Sequence, residues 1–122
     1  MIVHEFDLDV VPNGRLQQVW LNQNDADFQL KITPFARAGI FELESGTTAE
    51  IRGTKGDGTG YSASASISDS VVTVSGDKQL TSAAGRGIFE ITFHKGRMML
   101  NTANFVINVE EAAFSETTQT GG

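Results

Sequence analysis

Apolar and polar residues alternate with a period of two along most of this chain. In "DFQLKIT", Phe28, Leu30 and Ile32 fall on one side, with Gln29, Lys31 and Thr33 on the other. In "IFEITFHK", Phe89, Ile91 and Phe93 share a face opposite Ile88, Glu90, Thr92 and His94, and "NFVINVE" alternates Phe105, Ile107 and Val109 with Asn104, Val106 and Asn108. The chain opens the same way, with Ile2, His4, Phe6 and Leu8 on one face and Glu5, Asp7 and Asp9 on the other; "VVTVSG" adds Val72 and Val74. Successive side chains of an extended backbone point to opposite sides, so this pattern predicts half-buried antiparallel strands.

Further strands are predicted at residues 18–22, 49–53 and 61–68. Turn signals separate them: "PNG" at 12–14, "ESG" at 44–46, "GDGTG" at 56–60, "SDS" at 68–70, "SGD" at 75–77 and "KGR" at 95–97. Seven to eight short strands with this punctuation predict an all-β sandwich or barrel. No stretch carries a helical period; "KQLTSAAG" (78–85) predicts at most one helical turn inside a loop. The lone Trp20 lies in an alternating run and is expected in the core. Residues 112–122, rich in Thr, Gly, Ser and Glu, have the composition of a flexible tail or linker. Three parts are therefore expected: 1–13 as an N-terminal strand or anchoring arm, 14–111 as the β-sandwich, and 112–122 as the tail.

The stretch "GTKGDGTGYSAS" (53–64) poses a choice between a phosphate-binding loop and a hairpin. A phosphate loop needs a helix behind it. Here Lys55 precedes Gly56, and the alternating "YSASASIS" follows Gly60. A hairpin accounts for every residue, since "DG" suits the positive φ of a tight turn, and the small Ala63 and Ala65 allow close sheet packing.

The 122 residues suffice for one domain with its own core. Absence of cysteine excludes disulfides, thiolate nucleophiles and Cys-type zinc sites. Fifteen acidic against nine basic residues give a net charge of −6, which disfavours nucleic acid as a partner. The start "MIVHEFDLDVV" lacks the basic and long apolar regions of a signal peptide, and no run approaches the roughly 18 apolar residues of a spanning helix. A soluble protein made in its producer's cytoplasm, without membrane association, is expected. His4 and His94 are the only histidines and show no ligand spacing. There is no GxSxG elbow, calcium loop or carboxylate-pair signature. No catalytic residue, metal ligand or cofactor site is predicted, and the chain is not expected to be an enzyme.

Several phrases, taken in order, carry a resemblance. "VWLNQNDADFQLKI" places a Gln-x-Asp after a strand. "GTTAEIRGTKGDGTGYSASASISDSVVTVSGDKQLTSAAGRGIFEITFHKG" runs through a strand, a Gly-rich "DG" hairpin, a "VTV" strand, a "QLTSAAG" loop and an "FEI" strand, and "LNTANFVINVE" supplies a closing strand. Together, from about Val19 to Glu110, they resemble the N-terminal domain of the phage baseplate upper protein (BppU) family and related N-terminal domains of phage fibre proteins. The resemblance implies an immunoglobulin-like antiparallel β-sandwich of seven to eight short strands. It also implies a virion structural role, attaching a fibre or receptor-binding protein to the baseplate or capsid, with other virion proteins as partners and a homo-oligomer, trimer favoured.

Within that reading Ile2, His4, Phe6 and Leu8 are expected to form the anchoring arm, adding a strand to a virion partner. Phe35 and Phe41, in the loop-like "PFARAGIFE", are further partner-contact candidates. The alternative function is a carbohydrate-binding β-sandwich touching the host surface, using Trp20, Tyr61, Phe35 or Phe41.

Overall fold

The computed structural model describes residues 1–36 and 39–113. It contains ten strands: β1 (Ile2–Asp9), β2 (Gln18–Asn22), β3 (Phe28–Ala36), β4 (Gly39–Ile40), β5 (Thr48–Thr54), β6 (Gly60–Ser68), β7 (Val71–Ser75), β8 (Gly85–Lys95), β9 (Met98–Asn101) and β10 (Phe105–Glu110). Eight follow one hydrogen-bonded path, β1-β3-β7-β6-β5-β8-β10-β2, while β4 pairs with β3 and β9 with β8. β6 belongs to both layers: residues 60–65 pair with β5 and Ser66 to Ser68 with β7.

All eight strands read from the alternation are present. β4 and β9 are additional, one being two residues long and the other apolar without alternation. The arrangement is mixed rather than antiparallel, because both ends of the path are parallel pairs, β1 with β3 and β10 with β2. The chain leaves β1 for β2 in the other layer and returns to lay β3 beside β1 in the same direction. Side-chain alternation is identical for parallel and antiparallel neighbours, so the pattern could not distinguish them. Of the strand or anchoring arm expected at 1–13, the described structure contains a strand within the sheet. β1 is paired with β3 from Ile2 to Asp9, and Leu8 is 2% exposed in the core. The segment expected as a tail lies, from residue 114 onward, outside the described residues.

The core holds the predicted faces: Phe28, Leu30 and Ile32 of β3 and Val72 and Val74 of β7 meet Ile51, Phe89, Ile91, Phe93, Phe105 and Ile107 from the other layer. An aromatic row crosses it. Tyr61 stands edge-on to Phe89 (centroids 6.4 Å apart), Phe89 lies 6.2 Å from Phe105, and Phe105 lies 5.4 Å from Phe6 of β1. The row needs Gly53 and Gly87, because a Cβ on Gly53 would come within 2.5 Å of the Phe89 ring and one on Gly87 within 2.6 Å.

One end of the path, β1, is joined to the β9–β10 segment at a bulge. Thr92 pairs with Asn101 and Phe89 with Phe105, so Thr102, Ala103 and Asn104 face only Glu90 and Ile91. Thr102 repairs the ladder: its N–H donates to Ile91 O (2.9 Å), and its Oγ1 accepts from Ile91 N (3.0 Å). The extra residue turns Ala103 away from β8, and its N–H donates to Asp9 O at 2.7 Å. That bond fastens β10's approach to β1 and nearly closes the sheet into a barrel.

The hairpin reading of the glycine-rich stretch holds. Thr54 pairs with Gly60, Lys55 N donates to Thr59 O (2.8 Å), and Gly58 adopts a φ of +87°. Asp57 Oδ1 accepts from both the N–H and the hydroxyl of Thr59. Lys55 extends from the turn to donate to Gln79 O and Ser82 Oγ, tying it to the 77–84 loop. That loop contains hydrogen-bonded turns and no helix. It buries Leu80 and Thr81, and Asp77 Oδ2 accepts from the Tyr61 hydroxyl at 2.7 Å.

Two predictions follow from this packing. Thr102→Val leaves the buried Ile91 N–H without an acceptor and should cost about 1–3 kcal/mol. Urea unfolding should show a lower midpoint with an unchanged slope, and Thr102→Ser should recover most of the loss. The second concerns Tyr61. Burial, then the hydrogen bond and negative charge of Asp77, raise its pKa well above the ordinary phenol value. The unfolded chain releases that proton near pH 10 and the folded chain retains it, so this contribution is intact below about pH 10 and lost as pH rises further. The wild-type melting temperature should therefore fall more steeply above about pH 10 than that of Tyr61→Phe.

Candidate interaction surfaces

The strands run between two unlike ends. At one end both described termini gather. The Met1 ammonium lies 3.8 Å from Asp27, Gln23 N donates to Glu110 O, and Ala112 N donates to Gln23 Oε1. The 55–59 turn and the 77–84 loop complete this end through Lys55 and through Asn24 N donating to Thr81 O.

The opposite end is built from the β3–β4 region, the 41–47 connection and the β6–β7 and β8–β9 hairpins. The β6–β7 turn holds Asp69 and Ser70 at φ +50° and +60°, both in the left-handed region that non-glycine residues seldom adopt. Ser70 Oγ accepts from Leu43 N at 3.1 Å, docking the connection onto that turn. The β8–β9 hairpin turns at Gly96 (φ +58°) and Arg97, the form in which glycine takes the first central position. Lys95 bridges to Glu44 across the gap between hairpin and connection.

Between them lies an apolar cleft of about 290 Å³ lined by Phe41, Leu43, Phe93, Met98, Met99 and Leu100. Met98 is 78% and Met99 57% exposed; Ile40 and Val11 are also exposed at this end. Contiguous exposed apolar groups on a folded domain mark contact surfaces, whereas single ones are ordinary.

The outer face of the β5–β8–β10–β2 layer is polar by contrast. Glu50 Oε1 lies 3.1 Å from His94 Nε2 and 4.0 Å from Arg52 Nη1, Thr92 donates to Asn101 Oδ1, and Asn108 donates to Gln18 Oε1. Trp20 projects from this face and is 69% exposed. This corrects the core placement expected for it: Val19 and Leu21 take the inward positions of β2, so alternation turns the residue between them outward.

The residues singled out in the sequence separate. Phe35 pairs with Ile40, and with Phe41 it lies half-buried at the apolar end. Ile2 is 63% exposed, His4 and Phe6 are half-buried, and Leu8 is enclosed, so Leu8 is unavailable to a partner while the domain is folded. Met98, Met99 and Leu100 were not singled out. Their signal is the run "RMMLN" after a tight turn, where three large apolar residues in a row defeat the expected alternation. Among the described residues no group of three or more His, Asp or Glu is placed to hold a metal ion, and no helix is long and apolar enough to cross a membrane.

No protein-family model matches the chain, and no curated protein matches its sequence. Among solved structures the chain is similar to the N-terminal domain of phage TP901-1 ORF48, with a TM-score of 0.73 and 15% identity, over 90% of this chain and 99% of that one. ORF48 is a BppU protein, so the fold leads to the same domain that the order of the sequence motifs resembles.

Proposed function

We propose that this chain is a phage virion structural module, an attachment domain that anchors a fibre or receptor-binding protein to the baseplate or capsid. The observation that carries the reading is the fold shared with the ORF48 N-terminal domain over nearly the whole length of both chains. The two-ended architecture supports it. A domain that joins two bodies needs one end for the continuing chain and another for docking, and the exposed apolar cleft lies at the end opposite the described termini. The mode of action is protein contact rather than a reaction. An immunoglobulin-like sandwich, assembly as a homo-oligomer with a trimer favoured, synthesis in the host cytoplasm and partners among virion proteins, rather than nucleic acid or membrane, belong to the same proposal. The charge of −6 agrees with the exclusion of nucleic acid.

Gold immunolabelling of intact and disrupted phage tests it. Label at the tail tip assigns the module to the baseplate, and label over the head assigns it to a capsid fibre. Absence of label from both intact and disrupted particles overturns the reading. The docking end is tested by Met98→Asp combined with Met99→Asp. Both side chains are exposed, so stability should shift by no more than about 0.5 kcal/mol per site, while incorporation into particles should fall at least tenfold.

One observation favours a second reading, carbohydrate binding at the host surface. Trp20 stands exposed beside Gln18 and Asn108, an aromatic face next to amide groups, which is the chemistry of a sugar platform. Glycan-array binding abolished by Trp20→Ala, with Phe35→Ala and Phe41→Ala as comparisons, would move the function to this surface.

A further inference from the structure

The outer edge of β1 is a free half-ladder. Ile2 N donates to Asp27 O and Val10 N to Phe35 O, both toward β3, whereas Asp9 O accepts from Ala103 N on the opposite side. Alternate residues of an extended strand aim their peptide groups at opposite edges. Val3, Glu5 and Asp7 therefore aim theirs away from β3, and among the described residues no strand pairs with β1 on that side. Natural sheets blunt such edges with charged side chains, proline, bulges or very short strands. β1 is eight residues long, is paired in unbroken register and has neither proline nor bulge, and its charges are all acidic, so they repel a like-charged edge and admit a basic one.

The side chains along the edge specify what would fit. On the core-facing side, burial falls from the enclosed Leu8, past the half-buried Phe6 and His4, to the exposed Ile2, so the layer's apolar interior is left partly uncovered there. On the outer side, Glu5 and Asp7 are exposed, and the face they share with β3 and β7 adds Asp69 and Lys31, three carboxylates against one ammonium, so the side chains nearest the free edge are acidic. A second copy of the chain is a poor occupant. Antiparallel pairing of two β1 strands would set the Glu5 and Asp7 side chains of both copies on one face, and like charges placed opposite each other across a ladder repel.

We infer that the β1 edge receives an extended segment of another protein that alternates apolar with basic residues. Its peptide groups bond to Val3, Glu5 and Asp7, its apolar side chains cover Ile2 and Phe6, and its lysines or arginines lie across the ladder from the Glu5 and Asp7 carboxylates. This surface is separate from the apolar cleft, and the inference does not rest on the virion reading.

Amide hydrogen exchange on the full chain tests it with two synthetic peptides, one alternating Val and Lys and one alternating Val and Glu. With the Val/Lys peptide at about ten times its Kd, exchange at Val3, Glu5 and Asp7 should slow by about tenfold. The Val/Glu peptide should leave these amides unchanged, and in a Glu5→Lys/Asp7→Lys variant the preference should reverse. Equal effects of both peptides would overturn the inference. So would protection confined to other strands, or protection of the same amides by raised protein concentration alone, which would assign the edge to self-pairing. Particle labelling reports on the virion role separately, so failure of one reading leaves the other intact.

Discussion

The hydrogen bond from Ala103 N to Asp9 O is short in sequence terms on neither side and decisive for the architecture. It exists because a single extra residue opposite Glu90 and Ile91 rotates one peptide group out of its own ladder. Without the bulge, the backbone from β9 into β10 would continue flush against β8, and β1 would have no backbone link to the other layer at this point. Phe6 then packs on Phe105 across the join, so the polar fastening and the apolar contact are neighbours. The ordering matters energetically. Exposed ion pairs such as Lys95 with Glu44 are screened by solvent and contribute little, whereas each fully buried large apolar side chain contributes roughly 1.5–3 kcal/mol. The fold is thus held by its core, and the seam decides which core is formed.

The same closure separates structural from interactive surface. Once the β-layers meet, the inward strand faces are committed, and the two ends, the outer faces and the free edges remain open. One end is occupied by the turns that pack on one another through Lys55, Gln79, Ser82 and Thr81. At the other, two turns and a connection converge without covering Met98 and Met99, and the left-handed Asp69–Ser70 pair holds the connection in place. Rigid backbone beneath exposed apolar side chains lowers the ordering cost of binding, because little has to be immobilised when a partner arrives.

Much of this was legible in the chain. Alternation identified every strand with an inward row, because burial on one face imposes a strict period of two. The hairpin at 53–64 was readable from turn chemistry, since Gly58 meets the positive φ that "DG" anticipates. What alternation could not carry is direction and neighbourhood. The parallel pairing of β1 with β3 depends on where the chain passes between layers, so a strand continuous with the sheet reads like a free arm. Trp20 was misplaced because size and hydrophobicity argue for burial, while phase within "QVWLN" argues the reverse, and phase prevailed. At the apolar end the aromatics of "PFARAGIFE" are visible in the sequence, but Met98 and Met99 join Phe41 only through the 41–47 connection and the β8–β9 hairpin, which no local pattern reports. The bulge has no sequence mark beyond a threonine able to fill the ladder with its hydroxyl.

The parallel flanking of β10 by β2 bears on mechanics. A load applied to the chain after Glu110, with the opposite end held, runs along the axis of β10 between β2 and β8. The ladders on both sides are then strained lengthwise and together, rather than peeled bond by bond from one end. Rupture in that geometry requires many backbone bonds to fail at once, and its rate is set by the unfolding barrier rather than by equilibrium stability. β10 is thereby held on both sides against a lengthwise pull.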